Sequence, residues 1–143
     1  MGEVKLVQLQ TDAIDANVLQ AVVKDTKLGG IVLFSGEIRA QTGEVETSQL
    51  VYEAHEEMAL HQMKKLAAEA ADRWDANVAI VHRLGPLMPG EVAVVCVAAC
   101  AHRAQAFECC KFLIDQIKED VPIWKKEFGS EGEAWISGDL RVP

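Results

Sequence analysis

Two short stretches of this chain gather residue types that handle anions. At Ala101-His102-Arg103 an apolar run passes directly into a helical pattern, so a histidine and a guanidinium stand where a helix begins. A helix start exposes unpaired N–H groups and the positive end of its dipole, and ligands of open α/β sheets collect beyond the C-terminal ends of strands. The dipole disfavours an arginine in a first turn, which argues for a compensating anion. The local alternative is a capping histidine beside a solvated arginine. The second stretch runs Lys118-Glu119-Asp120-Val121-Pro122-Ile123-Trp124-Lys125-Lys126-Glu127. A lysine at a helix C-terminus is explained by the dipole alone. Lys125-Lys126 after Pro-Ile-Trp is less ordinary, because the apolar triplet should pin the segment and hold the following ammonium groups in place. Arg39, at the end of a β-rich run and before the polar Gln41-Thr42-Gly43-Glu44, reads by itself as a surface arginine.

Other chemistries lack their residues. Gly29-Gly30 lacks the further glycine of a dinucleotide fingerprint, no phosphate-loop motif is present, and no serine lies in a GxSxG setting. His55-Glu56-Glu57-Met58-Ala59 resembles the helical zinc motif only in part: Ala59 stands where the second histidine belongs, and His61 comes two positions late. No metal site is expected. Cys96, Cys100, Cys109 and Cys110 form no CxxC pair and lie in apolar stretches, as buried reduced thiols would. The alternative, that adjacent Cys109-Cys110 carries sulfur as a persulfide, stays open on spacing alone.

These residues need elements to hold them. Glu3–Gln10 reads as a strand, and Thr11-Asp12 as the cap of a helix with Ile14, Val18, Ala21 and Val22 on its inner face. Ile31–Arg39 and Gln49–Glu53 read as strands with a turn near Gly43. From Ala54 to Trp74 the period becomes helical, with Ala59, Met63, Leu66, Ala70 and Trp74 in one stripe. Asn77–Arg83 is a further strand. Val92–Cys100 is apolar on both faces, which predicts a central strand covered on both sides. A second long helix carries Ala106, Cys110, Leu113 and Ile117 inward and stops before Pro122. The expected order is β-α-β-β-α-β-β-α with a short tail: α+β, or mixed α/β, in a single domain over residues 1–143.

Composition narrows the function classes. The chain has 143 residues, half of them hydrophobic and a quarter charged, with a formal net charge of −8. That sign disfavours nucleic acid as a partner, since phosphate neutralisation needs clustered Lys and Arg. The segment from His102 to Glu127 holds five basic and five acidic residues, so the excess negative charge lies elsewhere and a locally positive pocket is possible. The longest apolar run, Val92 to Ala101, is ten residues, half of what a membrane-spanning helix needs. The N-terminus lacks a signal-peptide layout, and a cytoplasmic protein is expected.

Five pieces then occur in one order: Phe34-Ser35-Gly36-Glu37-Ile38-Arg39, His82-Arg83-Leu84-Gly85, Pro89-Gly90-Glu91, His102-Arg103-Ala104-Gln105-Ala106-Phe107 and Pro122-Ile123-Trp124-Lys125-Lys126-Glu127. Together they resemble the large, catalytic subunit of molybdopterin synthase. The resemblance runs from about Gly29 to Trp135 and includes Tyr52-Glu53-Ala54 and Met58.

The resemblance implies an α/β hammerhead fold with an accessory β-rich subdomain. It implies a homodimer of large subunits, with a small ubiquitin-like sulfur carrier at each outer end to complete a heterotetramer. The carrier's C-terminal Gly-Gly thiocarboxylate would enter a pocket, and cyclic pyranopterin monophosphate would become molybdopterin by gaining a dithiolene. Lys118 and Lys125 match the family's catalytic lysines. Arg39, His102 and Arg103 match its substrate-anion ligands, with Glu37 and Ile38 lining the pocket and Lys126 and Glu127 beside it. No metal or organic cofactor is implied. Many relatives have an aromatic residue at the place of His55 and an arginine at that of Lys126, and Arg141 is only a candidate for an arginine some relatives carry near the end. Two other classes remain in view: a binding module that holds a phosphate or a C-terminal carboxylate without turnover, and a Schiff-base enzyme using one of the lysines.

Overall fold

The computed structural model describes residues 2–129 and the backbone of 132–136. One sheet is built from β1 (Val4–Gln10), β5 (Asn77–Arg83), β7 (Val92–Cys100) and β2 (Gly30–Glu37), in that order across the sheet. β1 runs parallel to β5, and the other pairings are antiparallel. The apolar runs Val78–Val81 and Ala93–Cys100 are buried throughout because the two inner strands are covered on both faces. On one face lie α2 (Glu56–Trp74) and α3 (Arg103–Asp120), packed over Val78, Ile80, Cys96 and Ala98. On the other lies the short α1 (Ala16–Val23), over Ala79, Val81, Val95 and Val97. The alternation of these two sets along β5 and β7 is the period of two that a strand imposes.

A second, antiparallel sheet has the order β3 (Gln41–Thr42), β4 (Val45–Ala54), β8 (Ile123–Gly129) and β9 (Gly132–Ile136), with β6 (Gly85–Leu87) also paired to β4. The fold class expected above, mixed α/β with an accessory β-rich part, is the one found. The long helices also match their stripes: Ala59, Met63, Leu66 and Ala70 are buried in α2, with Trp74 at its end half-buried, and Ala106, Cys110, Leu113 and Ile117 are buried in α3.

Three expectations are corrected. Asp15, not Thr11-Asp12, caps α1, accepting from the Asn17 N–H at 3.0 Å. The buried pair is Leu19 and Val23, while Val18 and Val22 are exposed. Apolar residues fall on both sides of this two-turn helix, so its face follows from where the cap starts it. The expected short tail is instead a strand hairpin, β8 and β9, and β3 and β6 are further strands. β8 was hidden because its hydrogen-bonding partner, β4, lies far earlier in the chain.

The glycine pair reads differently in space. A Cβ on Gly30 would come within 3.0 Å of the Arg103 backbone nitrogen, so glycine lets β2 start against the first turn of α3. His55 caps α2, its Nδ1 accepting from the Met58 N–H at 3.4 Å, which gives that histidine a structural place. No helix among the described residues is long and apolar enough to cross a membrane.

All four cysteines are buried and unbridged between β7 and α3. Burial pushes every thiol up, Cys109 to about 12 and Cys110 to about 11, with neighbouring sulfurs adding to the effect at Cys109. A raised pKa leaves little thiolate at neutral pH, so these sulfurs are poor nucleophiles. Thiol titration of the native chain at pH 8 should therefore detect almost no reactive cysteine, and all four after denaturation. Rapid labelling of Cys109 or Cys110 with the fold intact would contradict this placement.

Candidate active site

The site lies where the two sheets meet near the C-terminal end of α3. β2 ends with a register shift between Gly36 and Glu37 against β7, and the chain then leaves the ladder. Ile38 stays tied to the next turn, donating its N–H to the Glu91 carbonyl (2.9 Å) and accepting from the Gly90 N–H (2.8 Å). That clamp buries Ile38 and leaves Glu37 and Arg39 exposed on either side of it. The adjoining turn is held by Glu91, which accepts from the Met88 N–H at 2.7 Å and pairs with Arg83 at 3.3 Å. The Met88 hydrogen bond, and then Arg83, hold its carboxyl below the usual range.

The wall opposite comes from β8. Pro122 ends α3, and Ile123 is fully buried, so the strand that follows starts from a fixed point. Its register against β4 sets Lys125 opposite Tyr52, and Glu127 opposite Leu50. Lys125 is only 13% exposed, with its Nζ 3.6 Å from Glu127 Oε1. Lys118 comes from the last turn of α3, half-buried, where the negative end of the dipole favours a cation. A cavity of about 220 Å³ results, lined by Glu37, Ile38, Arg39, Lys118, Lys125 and Glu127 together with Thr47, Tyr52, His82 and Ile114.

Six of the nine residues singled out in the sequence thus share one cavity. The other three do not line it. Lys126 alternates to the opposite face of β8, its Nζ 5.5 Å from the Phe128 ring centroid. His102 caps α3 without a side-chain hydrogen bond, and Arg103 is exposed in the first turn. Fifteen residues of helix separate Arg103 from Lys118, about 22 Å at 1.5 Å per residue. Arg141 lies outside the described residues.

The sequence reading did not pick out Tyr52, Thr47 or His82 as site residues. His82 did leave a signal: a histidine at the end of the apolar strand Val78-Ala79-Ile80-Val81 needs a polar partner or a cavity. Chemically, two lysines and an arginine around a small, partly apolar cleft can bind an oxyanion, stabilise one that develops, and move protons.

The fold and cavity define a mixed α/β protein with a second, antiparallel sheet and a cavity lined by Lys118 and Lys125 near the junction of the two sheets. The sequence matches the MoaE protein family over residues 9–120, and the chain belongs to that family. It is 40% identical, across its full length and 98% of the relative, to the molybdopterin synthase catalytic subunit of Pyrococcus abyssi. The Bacillus subtilis protein of the same name is 41% identical, covering 88% of this chain and 80% of that protein. The molybdopterin synthase crystal structure from Staphylococcus aureus superposes with a TM-score of 0.87 at 32% identity, over 93% of this chain and 98% of that one. The MoaE protein structure from Burkholderia ambifaria gives 0.82 at 33% identity, covering 96% and 92% of the two chains.

If the cavity is an oxyanion site, inorganic phosphate should shift the amide resonances of Glu37–Arg39 and of the last turn of α3, and Arg39→Ala should weaken that response about tenfold or more. Shifts confined to the start of α3 would place the anion elsewhere.

Proposed function

We propose that this chain is the sulfur-inserting subunit of a molybdopterin synthase. It converts cyclic pyranopterin monophosphate into molybdopterin with sulfur from the C-terminal thiocarboxylate of a small ubiquitin-like carrier. The observation that carries the reading is the convergence of Lys118, Lys125 and Arg39 on one narrow cavity in a chain so similar to the catalytic subunits of molybdopterin synthases. A tail ending in Gly-Gly has no side chains to exclude it from such a cleft.

The roles follow from the positions. Arg39, at the rim, binds the substrate phosphate through its planar fork. Lys118 from α3 and Lys125 from β8 both line the cavity, where they polarise the thiocarboxylate, stabilise the tetrahedral oxyanion and protonate the departing oxygen. Each transfer forms one carbon–sulfur bond and releases one oxygen. Hydrolysis of the acyl link returns the carrier as a carboxylate, so two carriers are consumed per dithiolene. Glu127 holds Lys125 from two positions further along the same face of its strand. Glu37, which accepts from Ser35 Oγ at 3.4 Å, and Ile38 line the entrance.

His102 and Arg103 belong to the substrate site in this reading only if a second copy presents them, because one subunit holds them a helix length from its own lysines. A homodimer with shared sites satisfies that requirement, and two carriers complete a heterotetramer. Four buried reduced thiols suit the cytoplasm. Lys126 faces away from the cavity, and a contact with the carrier suits that position better than one with the pterin.

Reconstitution with thiocarboxylated carrier and pyranopterin substrate tests the reading. Lys118→Ala and Lys125→Ala should each cut turnover about a hundredfold or more with folding retained. Near-normal turnover in either variant would remove that lysine from the mechanism. A mixed dimer of Arg103→Ala and Lys125→Ala chains should recover activity that neither homodimer shows, because one of its two sites is then intact. No recovery would mean that the sites are not shared.

A further inference from the structure

Among the described residues three polar side chains are buried: Thr47, Asn77 and His82. Asn77 is explained by the fold, since its Oδ1 accepts from the Glu3 N–H and its Nδ2 donates to the Val23 carbonyl, each at 3.1 Å. His82 stands instead at the edge of the core, against the cavity. It follows Val78 and Ile80 on the face of β5 that α2 and α3 cover, but at its level the core gives way to the cavity. At 1% exposed it forms part of the inner wall. Its Nδ1 lies 2.8 Å from the Arg83 carbonyl oxygen. A carbonyl only accepts, so Nδ1 carries the proton and the ring plane is anchored. The Tyr52 ring stands edge-on against it, centroids 4.9 Å apart and planes at 74°.

Tyr52 in turn sits opposite Lys125 in the β4–β8 register, where cross-strand Cβ atoms approach to about 5 Å. A lysine stem is flexible, and its ammonium stays in one place only where its surroundings confine it. Glu127 confines Lys125 on one side. We infer that His82 and Tyr52 form a positioning pair that confines it on the other: the anchored imidazole fixes the tyrosine ring, and the ring fixes the ammonium and keeps water from it. This rests on the reading of Lys125 as a reaction lysine. The titratable and charged groups around the pair in the cavity are Glu37, Arg39, Lys118, Lys125 and Glu127.

The test is the pH dependence of sulfur transfer by the full chain with its carrier. Tyr52→Ala and His82→Ala should each lower kcat about tenfold while the substrate KM stays within about threefold. Both should move the pH limb belonging to Lys125 upward, because water admitted beside the amine favours its charged form. Tyr52→Phe keeps the ring and should restore both kcat and the limb. If His82→Ala does not fold, His82→Phe keeps a ring in place and loses the anchor, and should show the same upward movement at smaller size. Folded variants with the limb unmoved, or with a raised KM alone, would overturn the inference. Lys125→Ala run alongside separates the two failures. An active Lys125→Ala protein removes what the pair would position. An inactive one beside unmoved limbs defeats the pairing alone.

Discussion

The site depends on one antiparallel pairing, that of β8 with β4. α3 delivers Lys118 to the edge of the helix-covered sheet and stops at Val121, and Pro122 prevents its continuation. Without a partner the chain beyond would carry its lysines into solvent. Paired to β4 from Ala54 back to Thr47, it faces Lys125 and Glu127 inward and sends Lys126 to the other face. A slip of one residue would exchange those faces and replace the Lys125–Glu127 pair with Lys126. Ile123, fully buried at the start of the strand, pins the register from the core side.

The pairing also explains how an acidic protein keeps a cationic cleft. A half-buried ammonium costs desolvation unless something offsets it, and offsets are built in at each position. The C-terminal end of α3 favours Lys118, and Glu127 favours Lys125. Because these offsets are local, the surrounding negative charge need not reach the cleft, which is a small positive region bounded by apolar walls such as Ile38 and Ile114.

Much of this was legible in the sequence, for specific reasons. β5 and β7 announce themselves as unbroken apolar runs, and α2 and α3 repeat their buried residues at helical spacing. The face of α1 was not legible, because Val18, Leu19, Val22 and Val23 supply apolar residues in two directions and only the Asp15 cap chooses between them. β8 was not legible, since Ile-Trp-Lys-Lys-Glu-Phe is a strand only in the presence of β4. Residue chemistry alone pointed to an anion pocket and favoured the start of α3. The family resemblance moved the centre to Lys118 and Lys125, at the other end of that helix, where the structure forms its cavity. Tyr52 and His82 enter the sequence reading only within strands and stretches that carry the family resemblance, with no role of their own. They become part of a site only once the register places one beside Lys125 and the other behind it.

The central claim is that the carrier's tail ends between Lys118 and Lys125. The most direct measurement is to activate the carrier's terminal carboxyl as an ester, let it react in the complex, and locate the resulting amide by tandem mass spectrometry. An amine within reach of the terminal carbonyl forms an amide linkage. Attachment is expected at Lys118 or Lys125, blocked by prior binding of the pyranopterin substrate. Attachment instead at Lys24 or Lys27, which lie exposed just beyond α1, would contradict it.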